Sequence, residues 1–428
     1  MMAPAAGHHE TRLPLQGCHT TRSQLLILCT LWLAYASFYL GRLNISVALP
    51  GLRSEYNWTA AQAGAVASAF YWSYLAGLLL NGQLAERLSA RISLPIALGV
   101  SAAINVLLAT QNSVLTVKIL WAANGYVQAF AWPLVIKTLA LWFPARSRGR
   151  AAAAVSTSYI LGGAISVGLA GYFAGRAGWR SSFLAPAGLM ILVAVGIAFV
   201  LRDQPPEDLG LTDSKDPRGT MGVSKSIRQT LWQTIRTPRL RLLALSLLFL
   251  NLVRYGFLLW APSFLFEVTH VSITKAAFSS LVFPLAGCAG VVGCGWLSDR
   301  MLAGRRAPIA FVCLVSAGLL TLAYRGSVLS GNGSLGLIVL GVIGAGIFGA
   351  HMLIVGVAPM DFAFGKTVAS ATGFVDSIGY VGVAANTVLT GVLVDVVGWN
   401  AVFNSWTLAA FVSAAFLIPL WHDAAEAN

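Results

Sequence analysis

Charge is what this sequence has least of. Only 10% of its 428 residues are Asp, Glu, Lys or Arg, where a soluble domain carries about a quarter. With a mean hydropathy of +0.75, water is excluded as the main solvent. Cysteine is sparse as well: the five residues at 18, 29, 288, 294 and 313 show no metal-ligand spacing, and four lie in apolar runs. That excludes a zinc module and a disulfide scaffold, and reads them as small packing residues. There is no glycine-rich phosphate loop with its lysine, no Ser/His/Asp order and no metal-ligand cluster. Neither an enzyme nor an ATP-driven pump is expected, and no cofactor.

What is present is apolar sequence in long runs. About 20 helical residues cross a hydrocarbon core of about 30 Å, and only helices or closed barrels satisfy their own backbone in lipid. The run lengths predict an all-α membrane protein with twelve spans, at 25–50, 62–84, 93–111, 115–143, 151–173, 182–201, 242–266, 276–297, 307–324, 335–357, 367–394 and 401–421. The first run contains an arginine and no small-residue cleavage site, so it reads as a retained span and not a signal peptide. Lys and Arg number 19 in the tails and even-numbered loops against 6 in the odd-numbered ones. The positive-inside rule then makes both termini cytoplasmic, in a bacterial inner membrane, and explains the formal charge of +13 without nucleic acid. The expected layout is a tail over 1–24, a six-helix half over 25–201, a linker over 202–241, a second half over 242–421 and a tail over 422–428. The linker has thirteen charges and four prolines, with one amphipathic surface helix expected over Ser224–Thr237.

The halves repeat. Arg42 precedes Pro50 by eight residues, and Arg254 precedes Pro262 by eight; GQLAER at 82–87 returns as GWLSDR at 295–300, and GWR at 178–180 as GWN at 398–400. Offsets of 212, 213 and 220 imply two pseudo-symmetric six-helix halves with a site between them.

Arg42 and Arg254 each lie within a span. A buried arginine costs about 2.5–3.5 kcal/mol even on the permissive insertion scale, so two in matching places need a compensating partner. They either pair with Asp361, Asp376 or a carbonyl, or snorkel at a span end, or close as two planar forks on one anion. Tyr35, Tyr39, Arg42 and Ser46 follow i, i+4, i+7 and i+11 spacing and predict one cavity-lining face, with packed tyrosines as the plain alternative. Asn251 occupies the place of Tyr39 in the second half. Asp376, between two glycines in the eleventh span, is a candidate proton carrier, ammonium partner or counter-ion. His351 in the tenth span is a candidate titrating group or a hydrogen-bonded packing residue. Lys137, Asp361 and Lys366 read as structural. Gly82, Glu86 and Arg87, with Gly295, Asp299 and Arg300, read as gating loops in which glycine permits close helix approach and the charges lock one alternate state.

The two gating loops resemble the signature loops of the major facilitator superfamily. Longer stretches resemble its organophosphate:phosphate antiporters, the glycerol-3-phosphate and hexose-phosphate transporters: YLGRLNISVALP (39–50), GYVQAFAWP (125–133), RDQPPEDLGL (202–211), LVRYGFLLWAPSFL (252–265) and ATGFVDSIGYVG (371–382). The resemblance implies that Arg42 and Arg254 bind a phosphate group, that Tyr35, Tyr39 and Tyr380 line the cavity, and that inorganic phosphate is the counter-substrate. Leu43, Leu78 and Tyr159 stand where those transporters often have lysine, lysine and histidine. With Asp376 added, this charge balance suits a zwitterionic or less charged ligand, such as an aminophosphonate or a carboxylate. A proton-coupled carboxylate symporter and a transporter-like sensor remain as alternatives, and a monomer is expected because the site is complete within one chain.

Overall fold

The computed structural model describes residues 22–85, 87–143, 145–205, 235–301, 305–358 and 368–422, which are helical with no strand among them. The first half contains α1 (Arg22–Leu43), α2 (Ile45–Tyr56), α3 (Ala60–Ala85), α4 (Ala90–Leu108), α5 (Val114–Gln128), α6 (Ala131–Trp142), α7 (Ala145–Ala177) and α8 (Ser181–Val200). The second contains α9 (Pro238–Thr269), α10 (Ile273–Ser280), α11 (Val282–Met301), α12 (Ala307–Leu329), α13 (Gly333–His351) running into a π-helical turn at Met352–Val357, α14 (Val368–Val396) and α15 (Trp399–Ala415). α1/α2, α5/α6 and α10/α11 are broken single spans, so each half supplies six. Eleven of the twelve are long and apolar enough to cross a membrane. The other, α3, is 26 residues long and packs between α5 and α14 with Tyr71 and Tyr74 buried.

Some boundaries differ from the sequence reading, for identifiable reasons. Pro50 does not end the first span. It is absorbed inside α2, which runs on to Tyr56 and closes on Asn57 in the left-handed region at φ 53°, since a membrane helix tolerates a proline whose freed carbonyl is satisfied by neighbours. The seventh span starts at Pro238, four residues into the expected linker, because proline with its fixed φ favours the first helical turn. The expected amphipathic helix lies almost wholly outside the described residues. Cysteines 294 and 313 are not scattered in space: their sulfurs stand 3.5 Å apart between α11 and α12.

Because spans alternate in direction, the chain enters and leaves at one end of the bundle, here the terminal end, and the odd-numbered loops lie at the far end. Cross-half contacts gather at the far end. Asp395 at the close of α14 accepts hydrogen bonds from the first-turn amides of α3, Ala60 N–H at 2.8 Å and Ala61 N–H at 2.6 Å. Arg53 of α2 pairs with Glu267 of α9. Ser68 donates to the Ala384 carbonyl at 2.8 Å and Thr274 to the Gly171 carbonyl at 3.0 Å. Between these ties the backbones touch: a Cβ on Gly64 would sit 2.2 Å from the Thr387 carbonyl oxygen, and one on Gly391 would sit 2.2 Å from that of Ala60. Glycine is required at both places for α3 and α14 to meet.

The gating loops, at the terminal end, are described only in part. Among the described residues, no atom lies within 4 Å of where a Cβ on Gly295 would sit. Arg300 lies over the Trp296 ring at 5.6 Å and Arg87 is exposed. Glu86 lies outside the described residues, as do Asp361 and Lys366, and the Gly82 and Asp299 side-chain positions are not described. Lys137 is structural, its Nζ donating to the carbonyls of Ala85 at 3.0 Å and Leu88 at 2.9 Å where α3 ends.

Candidate anion-binding site

The first arginine is placed by a kink. Gly41 has non-helical φ/ψ of −96° and 17° inside α1, which frees its carbonyl from the helical ladder. Asn124 Nδ2 donates to that carbonyl at 2.8 Å and Gln128 Nε2 at 3.1 Å. Gln128 also donates to Ser101 Oγ at 3.0 Å, and its Oε1 accepts from Arg42 Nε at 3.0 Å. One neutral amide thus both repairs the kink and fixes the guanidinium. Asn105 and Asn44 extend this buried network to α8 through Asn44 Nδ2 to Asn105 Oδ1 at 2.8 Å and to the Ser182 carbonyl at 3.1 Å.

Arg42 is 1% exposed. The Tyr39 and Tyr74 ring centroids lie 4.4 and 4.5 Å from its Cζ, with Phe70 at 5.4 Å. Such contacts with a desolvated cation contribute up to about 2 kcal/mol each and offset part of the burial cost, but they cover the faces of the fork and leave its edge. Both terminal nitrogens, Nη1 and Nη2, are buried without a hydrogen-bond partner among the described residues. A guanidinium held by its Nε, with its terminal donors unused, is arranged to grip an anion.

Arg254 is reached differently. α9 runs straight through it, and its Nη1 stands 3.0 Å from His351 Nε2. Its Cζ lies 4.7 Å from the Phe348 centroid, 5.2 Å from Tyr255 and 5.6 Å from Tyr159. The two arginines share one aromatic cluster. Tyr39, under Arg42, meets Tyr159, under Arg254, at 6.2 Å; Tyr71 meets Tyr255 at 5.3 Å and Tyr74 meets Tyr380 at 5.3 Å, both across the halves.

Of the residues singled out in the sequence, Tyr35, Tyr39, Arg42, Tyr159, Arg254, His351 and Tyr380 are brought together here. Tyr35 packs on Tyr39 at 5.7 Å and on Trp132 at 5.0 Å. Asp376 is in electrostatic reach of Arg254 and Tyr159 but does not pair with an arginine: the two salt bridges among the described residues, Arg53–Glu267 and Arg180–Glu55, lie at the far end. Asn251 is buried against Gly379 with its Oδ1 unpartnered. Ser46 is a correction. The helix breaks at Asn44, so the i+11 face does not continue, and the Ser46 hydroxyl turns back to the Leu43 carbonyl at 2.7 Å. Tyr71, Tyr74, Gln128 and Tyr255 were not foreseen. Tyr255 adjoins Arg254 and Gln128 lies in the GYVQAFAWP stretch, so both were within sight.

The Major Facilitator Superfamily model matches residues 31–363. The chain belongs to the Major Facilitator Superfamily. It is thus an integral membrane protein of a transporter family and not an enzyme. Among curated relatives, it is 28% identical to the "Probable hexose phosphate transport protein" of Chlamydia pneumoniae, over 95% of this chain and 92% of that one. It is 28% identical to the "Glycerol-3-phosphate transporter" of Bacillus subtilis (strain 168), over 95% and 94%, and 27% identical to the "Membrane sensor protein UhpC" of Salmonella typhimurium, over 92% and 90%. These are organophosphate:phosphate antiporter family members, so this superfamily chain resembles that family throughout its length. Among solved structures, its fold is similar to a bacterial homologue of the lysosomal transporter Spinster in an inward-facing, unoccupied conformation (TM-score 0.73, 16% identity, 94% of this chain and 96% of that one). It is also similar to the D-xylose-proton symporter (TM-score 0.70, 15% identity, 92% and 96%).

Proposed function

We propose that this protein is a secondary transporter that moves a small organic phosphate or phosphonate, zwitterionic ones included, by alternating access in exchange for inorganic phosphate. The observation that carries the reading is the pair of buried arginines, one per half, in a shared ring cluster, with the terminal nitrogens of Arg42 unused. The phosphate-transporting relatives support the substrate class. Arg42 and Arg254 hold the anion from opposite halves. Tyr35, Tyr39, Tyr159 and Tyr380 exclude water around it, and Asp376, unpaired with either arginine, accepts an ammonium group on a zwitterion; Asn251 offers a further polar atom from α9. Since each half brings one fork, an anion gripped by both favours the state in which the halves are close, and this differential grip links binding to the rocking motion.

The far-end seam and the gating loops are the two alternating closures in this reading, with the terminal end cytoplasmic. The test is uptake of labelled phosphate into liposomes holding the purified protein, preloaded with phosphate or empty, with and without an uncoupler. Counterflow that requires internal phosphate and survives the uncoupler supports the exchanger. Uptake that collapses with the proton gradient replaces it with proton-coupled symport. Binding without flux makes the chain a sensor, a reading favoured by its likeness to the UhpC sensor.

A further inference from the structure

Each arginine is met by a residue from the fourth span of its own half, and the two residues differ in chemistry. Gln128 is the last residue of α5 before the α5/α6 break, and His351 the last residue of α13 before its π-helical turn. Each is thus the last regular residue before the break in the fourth span of its half, and each meets the arginine of that half, at 3.0 Å in both cases. The amide of Gln128 accepts from Arg42 at every pH. An arginine has only donors, so His351 Nε2 accepts from Arg254 only with its lone pair free, which places the imidazole in the neutral form with its proton on Nδ1. A proton on Nε2 ends that hydrogen bond and sets two cations side by side, an arrangement that an anion between them stabilises.

We infer that His351 joins Arg254 in gripping the anion and makes that grip proton-dependent: the anion and a proton on His351 bind together, each tightening the other by the same factor. This rests on the anion-clamp reading above. In the absence of anion the imidazole orients Arg254; with a dianion bound, imidazolium and guanidinium both face it, and the second half then offers two positive charges where the first offers one. Among the described residues, Arg254 is the hydrogen-bond partner of the imidazole. Arg254 of α9 is the charged group that acts on it. From α11 and α12 come the Cys294 and Cys313 thiols, Cys294 packing against the Gly349 backbone. From α14 comes Asp376, on which Arg254 acts.

The experiment compares wild type with His351→Gln, which restores an amide acceptor like Gln128 but cannot titrate. KM for phosphate counterflow is measured from pH 8 to pH 5.5 with equal pH on both sides. Phosphate's own titration cancels in the ratio of the two KM values. The expected result is that the ratio KM(H351Q)/KM(wild type) rises about tenfold as pH falls. A flat ratio in proteins that both exchange phosphate overturns the inference and leaves the exchanger standing. Absence of phosphate exchange or binding by wild type at every pH overturns both. Should the glutamine variant fail to insert, His351→Asn, one carbon shorter, runs the same comparison.

Discussion

Removing the carboxylate of Asp395 should loosen the far-end seam by a calculable amount. It accepts two charge-assisted hydrogen bonds from the first turn of α3. Bonds to charged groups contribute about 1.5–3 kcal/mol each when buried, but Asp395 is exposed, so about 1 kcal/mol each is appropriate after screening. Asp395→Ala therefore shifts the balance between far-end-closed and far-end-open states by about 2 kcal/mol, roughly 30-fold in population. Ser68 reports it, being buried in the seam at 3% exposure. In a protein whose five native cysteines are replaced, Ser68→Cys is labelled from the far-end side by a membrane-impermeant maleimide. The rate should rise about 30-fold with Asp395→Ala, since fast opening makes labelling proportional to the open fraction. Asp203 is the control. It accepts from Ser89 Oγ at 2.5 Å and Arg91 N–H at 3.0 Å at the start of α4, inside one half at the terminal end, so Asp203→Ala should leave the rate alone. A rise below threefold, or an equal rise with Asp203→Ala, would refute the assignment of Asp395 to the seam.

Three further outcomes are expected. Arg42→Lys loses the Nε–H taken by Gln128 and the planar fork, and should weaken phosphate binding by roughly 100-fold while the protein inserts and folds; a titration retaining most of the affinity would make Arg42 structural. Lys137→Met leaves the carbonyls of Ala85 and Leu88 without their cation and should cost about 2 kcal/mol of stability, read as a lower thermal midpoint in detergent with phosphate affinity intact. Mild oxidation should join Cys294 to Cys313, whose sulfurs are already 3.5 Å apart, seen as the loss of two titratable thiols in wild type but not in Cys313→Ala.

The spans were legible because lipid imposes length and hydrophobicity on each of them, and the matched arginines because a repeat offset survives divergence at costly buried charges. What escaped was whatever depends on how spans lie against each other. Asp395 and Ala60 are 335 residues apart and Arg53 and Glu267 are 214 apart; periodicity within a span says nothing of that register. Gln128 escaped because a neutral amide in an apolar run costs little and attracts no notice. His351 reads in the sequence as a lone helical histidine, and its meaning appears only beside Gln128, since both precede a break in the helix. Ser46 misled for the converse reason: an i+11 spacing assumes an unbroken helix, and the kink at Gly41 and the break at Asn44 interrupt it.

The glycine contacts of the seam make it a hard stop. Where Gly64 rests on the Thr387 carbonyl and Gly391 on that of Ala60, main chain meets main chain, so no rotamer is available to open part of the joint or to relax it by degrees. The two halves must separate as bodies, and the joint is either shut or apart. That matters electrically: each elementary charge crossing 100 mV dissipates about 2.3 kcal/mol, and a closure without a half-open position denies ions a path while the opposite end is accessible. The same stiffness forbids adjustment by small substitutions. A methyl group at either glycine is a wedge, biasing the protein toward the far-end-open state without touching the anion.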